Sequence, residues 1–199
     1  GSVVSEDEAL HRAKSRAGGA SRHLVYMGSF MPYKNVETLL YAMRELPEYT
    51  LHLLSKMPDA RRAELEEQGL LSPLAAGSNV VVHNGVSDEE YAELLESAHA
   101  LVTASRAEGY GLPVVEAQAA GCPAVISDID IFREIAPHAV FAPVTEDPQA
   151  DAPAWVEAIH SLENDTVRDR VILEGLQDAS HYSWRDSALK LVRILKNNV

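Results

Sequence analysis

Two glutamates and two glycines lie close together in the segment Glu108–Glu116, EGYGLPVVE. Glycine lets a backbone approach a ligand closely and adopt positive φ. Pro113 is typical of the first turn of a helix, so a helix N-terminus is predicted directly after the glycines. The free N–H groups and the partial positive charge of that terminus favour a phosphate. The segment therefore predicts an anion site.

The two carboxylates beside this anion site need a different role, because carboxylates repel a phosphate. Glu108 precedes the glycines, and Glu116 falls in the first turn of the predicted helix. Both side chains can accept hydrogen bonds from sugar hydroxyls, one from a ribose and the other from a second sugar. A phosphate between two sugars is what a nucleotide sugar presents.

Short apolar runs alternate with amphipathic segments along the chain. The runs are rich in Val, Ile and Leu and are bounded by Gly, Pro, Asn or Ser, which is typical of buried parallel strands. Strands are predicted at His23–Gly28, Thr50–Ser55, Val80–Asn84, Ala100–Ala104, Ala124–Ser127 and Ala139–Ala142. Helices are predicted at Asn35–Leu46, Ser87–Ser97, Pro113–Ala120, Ala152–Glu163, Val167–Ala179 and Trp184–Lys196. The order predicts an α/β fold, a doubly wound Rossmann-like parallel sheet of about six strands.

We expect one domain over residues 21–199. Residues 1–20 are interpreted as a linker or an upstream remnant, in which Gly1-Ser2 resembles the scar of a cleaved tag. Ser87 and Glu90 have the spacing of a helix capping box.

Ligands of doubly wound sheets bind outside the carboxyl ends of the strands, so the residues that follow each strand are candidate site residues. Gly28, Ser29 and Lys34 follow the first strand, and Gly85 and Val86 follow the third. Lys34 precedes a predicted helix, where a lysine opposes the helix dipole. That unfavourable placement indicates that Lys34 serves a ligand.

The segment Glu108–Glu116, followed by AQAAGCPAV, resembles the E-x7-E signature of family 4 glycosyltransferases. The usual form is E-G-F-G-L-P-x-x-E-A-M-A-x-G-x-P-V, from which this chain differs by Tyr110 for Phe and Gln118 for Met. The resemblance extends to the Ser183-Trp184 opening of the last predicted helix. It implies the C-terminal, donor-binding half of a GT-B enzyme, whose acceptor is held by an N-terminal half that the chain lacks.

The resemblance also implies a role for each matching residue. Glu116 would hold the ribose hydroxyls, Glu108 would contact the donor sugar, and Lys34 would neutralise the diphosphate. Backbone groups would line the rest of the site, those at Gly85 and Val86 facing the base and those at Gly109, Tyr110, Gly111, Leu112 and Val114 facing the sugar and diphosphate.

The chain departs from the family pattern after the first strand. Many members have an arginine directly after the glycine of that strand, as a second phosphate cation, whereas this chain has Ser29. Lys56 and Arg106 are candidates to replace it. Otherwise the diphosphate binds more weakly.

The resemblance implies retaining, metal-independent transfer from a UDP-, GDP- or ADP-linked sugar, with no separate cofactor. Asp128-Ile-Asp130 also fits a metal-binding D-x-D pattern. That segment precedes a short helix, however, where aspartate is a common cap, so we expect no metal site.

Composition excludes several other classes of protein. A net charge of −13 and a pI near 5.0 disfavour nucleic acid and anionic lipid as partners. One cysteine, Cys122, forms no internal disulfide, and no apolar run approaches the roughly 20 residues of a membrane span. We therefore expect a cytoplasmic protein.

Two alternatives stay open. One is another enzyme on the same fold, a sugar-nucleotide epimerase or a sugar phosphorylase. The other is a module that binds a nucleotide sugar without turning it over, which the departure at Ser29 favours. The sequence names neither the base, the sugar nor the acceptor.

Overall fold

The computed structural model describes residues 4–5, 7–8, 11, 22–71 and 79–182. Six parallel strands form one sheet in the order β3-β2-β1-β4-β5-β6, so the strand order reverses between β1 and β4. This confirms the doubly wound Rossmann-like fold. The strands are β1 (His23–Tyr26), β2 (Thr50–Leu53), β3 (Val80–Val82), β4 (Ala100–Thr103), β5 (Ala124–Ser127) and β6 (Val140–Ala142).

Seven α-helices connect and follow these strands within the described residues. They are α1 (Val36–Met43), α2 (Asp59–Glu67), α3 (Asp88–Ser97), α4 (Leu112–Ala119), α5 (Asp130–Ile135), α6 (Pro148–Ser161) and α7 (Asp165–Ser180). Helix α2 was not predicted as a separate element because it buries only Arg61 and Leu65, which is too few residues for an apolar stripe. The predicted helix Trp184–Lys196 and most of residues 1–20 lie outside the described residues.

Two hydrophobic clusters hold the helices against the two faces of the sheet. Successive residues of β1 point to opposite faces, with Leu24 in one cluster and Val25 in the other. Helix α1 packs against α6, and α4 packs against α7. The helices that begin at the carboxyl edge of the sheet are therefore anchored by apolar packing below that edge.

The connection from β3 to α3 has a fixed geometry. Asn84 and Gly85 both have positive φ, 57° and 107°. The Ser87 hydroxyl then accepts from the Glu90 amide at 3.2 Å, and the Ser87 amide donates to Glu90 Oε2 at 2.8 Å. This confirms the predicted capping box and sets the position of the first turn of α3.

Three histidines form a hydrogen-bonded chain at strands β1 to β3. His23 Nδ1 lies 3.0 Å from His52 Nε2, and His52 Nδ1 lies 2.9 Å from His83 Nε2. Burial, together with the two neighbouring histidines, lowers the pKa of His52 to about 4. His52 is therefore neutral in the folded protein at neutral pH.

We expect this histidine to make the protein less stable in mild acid. Between pH 6.5 and 4 the unfolded chain takes up a proton at His52 that the folded protein does not, so the contribution is complete above pH 6.5 and is lost as the pH falls toward 4. After a discount for partial exposure, the loss in the free energy of unfolding is about 1–2 kcal/mol. Urea denaturation of wild type and His52→Gln at pH 7, 5.5 and 4.5 measures it.

The readout is the pH dependence and not the absolute stability. His52→Gln should flatten the decline, although some decline remains because burial also lowers the pKa of His99. Parallel pH profiles of the two proteins would contradict the assignment to His52.

Candidate functional site

The loops that follow β1 and β4 meet where the strand order reverses. The Arg106 amide donates to the Tyr33 carbonyl at 2.8 Å. Lys34 Nζ donates to Glu108 Oε1 at 2.6 Å, although the two residues are 74 positions apart in the sequence. Their side chains are only 14% and 13% exposed. The structure thus brings together the predicted cation and one predicted sugar-binding carboxylate at the carboxyl edge of the sheet.

Lys34 does not belong to the helix that follows it. It is the last residue of a 3-10 turn, Pro32–Lys34, and Asn35 in the left-handed conformation separates it from α1. The bond to Glu108 offsets the unfavourable position of a lysine near a helix N-terminus.

A chain of buried hydroxyl groups orients the Glu108 carboxylate. Ser105 is fully buried, and its Oγ donates to Glu108 Oε1 at 2.8 Å. Thr103 Oγ1 lies 3.2 Å from Ser105 Oγ, and Ser127 Oγ donates to the Ser105 carbonyl at 2.5 Å. Sequence reasoning missed these three residues. The signal available was a hydroxyl side chain at or just after the carboxyl ends of β4 and β5.

Helix α4 begins at a glycine that no other residue can replace without strain. Gly111 is the N-cap residue and has φ 76°. A Cβ built on it would lie 2.8 Å from Phe132 Cε1 and 2.8 Å from Ile135 Cδ1, which are buried side chains of α5. Glycine therefore allows α4 to start in contact with α5.

The amides at this helix start differ in availability. The Val114 amide, predicted to face the ligand, donates to the Gly111 carbonyl at 2.9 Å. For the amides of Gly111 and Leu112, no backbone acceptor is present within residues 22–71 and 79–182. Gly111 is buried and Leu112 is exposed, and amides at a helix N-terminus without an intrahelical acceptor can donate to an anion. Gly109 and Tyr110 are exposed in the loop just before them.

Glu116 is exposed on α4 and is joined to the neighbouring helix α3. The Tyr91 hydroxyl donates to Glu116 Oε2 at 3.2 Å. Burial, and then the charge of Glu116, raises the pKa of the Tyr91 hydroxyl, so it stays a protonated donor. Sequence reasoning missed Tyr91, because an aromatic residue in an amphipathic helix is usually a core residue.

A buried tyrosine supports the loop after β1. The Tyr26 hydroxyl donates to the Ser29 carbonyl at 2.6 Å, and the Ser29 side chain is exposed. Burial, and then the charge of Glu108, raises the pKa of Tyr26. A Cβ at Gly28 would lie 3.1 Å from the same hydroxyl oxygen, so Gly28 packs directly over it.

Gly85 and Val86 lie at the carboxyl end of β3. The Gly85 amide donates to the Leu54 carbonyl at 2.9 Å, so that amide is not available to a ligand. Val86 borders an open cleft of about 330 Å³ along α3, which is also lined by His83, Glu90, Glu93, Leu94 and Ser97.

The two candidate replacements for the missing arginine differ in their surroundings. Arg106 Nε donates to the Thr145 carbonyl at 2.8 Å, which engages its guanidinium with the loop after β6. Lys56 is exposed and follows β2 at the carboxyl edge of the sheet. The Arg106 guanidinium is thus held by the protein, whereas the Lys56 side chain is exposed.

Arg133 forms an ion pair with Asp128, the first aspartate of the D-x-D pattern. Arg133 Nη2 donates to Asp128 Oδ2 at 2.6 Å, and Arg133 Nε donates to Asp128 Oδ1. Asp130 is the first residue of α5, and that helix has no side-chain cap. The expectation that an aspartate caps this helix is wrong, because Ile129 occupies the N-cap position.

A second group of possible metal ligands lies at the opposite edge of the sheet. Ligand atoms of Glu48, His160 and Glu163 lie within 4.8 Å of one another, near the amino ends of β1 and β2. Arg22 Nη1 lies 3.0 Å from Glu163 Oε1 and 3.3 Å from Glu48 Oε1. The guanidinium already supplies a positive charge to both carboxylates.

The sequence matches a protein-family model. Residues 7–177 match the family described as glycosyl transferases group 1. The O-antigen chain mannosyltransferase B of Escherichia coli is 27% identical over 177 residues, which cover 87% of this chain and 45% of that protein. The chain thus spans about half the length of this curated relative.

Solved structures share the fold. Sucrose-phosphate synthase from Thermosynechococcus elongatus superposes with a TM-score of 0.73 at 24% identity, over 94% of this chain and 50% of that one. Anabaena HepE, solved in complex with UDP and glucose, gives a TM-score of 0.74 at 15% identity, over 98% of this chain and 53% of that one. Among the described residues, no helix has the length and apolar character needed to cross a bilayer.

We expect Gly111→Ala to destabilise the protein by about 2–4 kcal/mol, through the left-handed backbone and the overlap with Phe132 and Ile135. Thermal and urea denaturation measure the loss.

Gly109→Ala is the matched control in the same loop. A Cβ at Gly109 meets nothing within 4 Å, and its φ is not in the left-handed region. The prediction fails if the two variants are equally stable.

Proposed function

Because this chain belongs to the group 1 glycosyltransferases, we propose that it is the donor-binding domain of a retaining glycosyltransferase that uses a nucleoside-diphosphate sugar. One observation carries the proposal. The Lys34–Glu108 pair, the amides at the start of α4 that have no intrahelical acceptor, and Glu116 all lie at the carboxyl edge of the sheet, around the reversal between β1 and β4. This is where doubly wound sheets bind nucleotides.

In the proposed complex the diphosphate lies between Lys34 and the start of α4. The amides of Gly111 and Leu112 donate to it, and the helix dipole adds a contribution of about 0.3–1 kcal/mol. Lys34 supplies an ammonium group, whose charge Glu108 partly balances. Its ammonium group has three N–H donors, of which the contact to Glu108 uses one. The net charge of −13 disfavours the approach of an anionic diphosphate, and a lysine beside the diphosphate opposes that repulsion.

The two carboxylates contact the sugars on either side of the diphosphate. Oε1 of Glu108 accepts from Lys34 and Ser105. Its Oε2 has no hydrogen-bond partner within residues 22–71 and 79–182 and would accept from a hydroxyl of the donor sugar. Glu116 would accept from the ribose, and the backbone at Gly85 and Val86 would border the base. Gly28 and Ser29 would face the diphosphate from the side of β1.

Transfer would proceed on one face of the donor sugar without a metal ion. The bond from the anomeric carbon to the diphosphate oxygen breaks as the acceptor oxygen bonds to the same face of that carbon. The acceptor proton passes to the leaving diphosphate oxygen. Lys34 and the α4 amides stabilise the negative charge that develops there.

The acceptor would be bound by residues outside this chain, which spans only part of its relatives. The mannosyltransferase name of the E. coli relative makes mannose the first sugar to test. NMR of the product made by the whole protein tests retention, and an inverted anomeric configuration would exclude this mechanism.

We expect one of UDP, GDP and ADP to bind this chain with a dissociation constant between micromolar and sub-millimolar, roughly −5 to −8 kcal/mol. Glu116→Ala should weaken that binding about tenfold or more, because a hydrogen bond to a charged group is worth about 1.5–3 kcal/mol. Isothermal titration calorimetry with each nucleotide measures both effects. Equal, weak binding of all three, unchanged in Glu116→Ala, would contradict the proposed site.

We expect Lys34→Met to weaken nucleoside diphosphate binding about 10- to 100-fold, and nucleoside binding little, because the lost contact is to phosphate. Lys56→Met, titrated beside it, measures whether Lys56 replaces the missing arginine. The same calorimetry is run on variants whose folding has been checked by thermal denaturation. A similar loss for the nucleoside and its diphosphate would show that Lys34 does not contact phosphate.

A further inference from the structure

Tyr91 and Glu116 connect the two helices α3 and α4 at the carboxyl edge of the sheet. The hydroxyl of Tyr91 donates to Oε2 of Glu116 at 3.2 Å. Within residues 22–71 and 79–182, this is the side-chain hydrogen bond of Glu116, and no cation pairs with it. An exposed carboxylate without a cation has several rotamers to choose from, so the tyrosine is what orients it.

Tyr91 is itself held firmly. Its amide donates to the Ser87 carbonyl at 2.9 Å, in the turn that the Ser87–Glu90 capping box defines. Its partly buried ring packs against the hydrophobic cluster between α3, α4 and the sheet. The backbone geometry of this turn and the packing of the ring therefore fix the position of the Tyr91 hydroxyl.

The hydrogen bond from Tyr91 uses Oε2 of Glu116 and does not involve Oε1. Oε1 of Glu116 has no partner among the described residues, and the side chain is exposed. A carboxylate fixed through one oxygen presents its remaining lone pairs in a defined direction. A neutral donor also preserves the full negative charge that makes the carboxylate a strong acceptor.

We infer that Tyr91 is a positioning residue that orients Glu116 toward the ribose hydroxyls of the donor and so sets the preference of the site for ribonucleotides. The inference rests on the proposed function, because it assigns the ribose to Glu116. Tyr91 acts through the carboxylate and does not itself contact the ligand.

Tyr91→Phe tests this role, because it removes the hydroxyl and keeps the ring. Calorimetric titrations use UDP, GDP and ADP and the 2′,3′-dideoxy analogue of whichever binds. We expect Tyr91→Phe to weaken the ribonucleoside diphosphate about three- to tenfold and to change binding of the dideoxy analogue less than about twofold. A purely structural role would weaken both ligands equally.

A double-mutant cycle links the effect to Glu116. In the Glu116→Ala background, Tyr91→Phe should cause no further loss, because the group it positions is gone. Tyr41→Phe, which removes a tyrosine hydroxyl on α1, is the matched control and should leave both affinities unchanged.

The outcomes separate this inference from the proposed function. If Glu116→Ala abolishes the ribose preference but Tyr91→Phe does not reduce it, the positioning role is overturned and the proposed function stands. An equal loss for both ligands in Tyr91→Phe also overturns it. If wild type binds none of the three nucleotides, or binds with no preference for ribose that depends on Glu116, the proposed function and this inference both fail.

Discussion

The ion pair between Lys34 and Glu108 is the contact on which the rest of the site depends. It joins the loop after β1 to the loop after β4 across the point where the strand order reverses. Both side chains are mostly buried, so each charge has lost much of its hydration, and either one without the other would be costly. The pair keeps a cation and a carboxylate at the edge of the sheet before any ligand binds. The backbone contact from Arg106 to Tyr33 fixes the same two loops relative to each other.

Neutral hydroxyl groups support the site at three places. Ser105 donates to Glu108, Tyr26 donates to the Ser29 carbonyl, and Tyr91 donates to Glu116. At Glu116, the Tyr91 hydroxyl orients the carboxylate without neutralising its charge, whereas Glu108 is also paired with Lys34. Burial and the nearby carboxylates raise the pKa of both tyrosines, so they stay protonated donors through the neutral pH range. Hydroxyl groups of the protein thus orient both carboxylates of the site, Glu108 and Glu116.

Glycine determines how closely the elements around the site approach. At Gly111 the backbone needs a positive φ, and α5 leaves no room for a side chain. At Gly85 the backbone also needs a positive φ, but the space beside it is open. Gly111 is therefore required by packing as well as by conformation, and Gly85 by conformation alone. The sequence alone shows a glycine at both positions and does not distinguish these two kinds of requirement.

The sequence by itself determined the class of fold, most of the strands and helices, and the capping box at Ser87. Apolar periodicity and capping residues are local properties, so they can be seen without knowing how the chain folds. It also predicted Glu108 and Glu116 as site residues through their spacing around the glycines, and Lys34 through its position after the first strand, with the resemblance to a known signature supporting all three. Only the tertiary structure decided that Lys34 and Glu108 touch, because residues 74 positions apart meet only when β1 and β4 become neighbours. The contact between Tyr91 and Glu116 depends in the same way on how α3 lies beside α4, which no local pattern encodes.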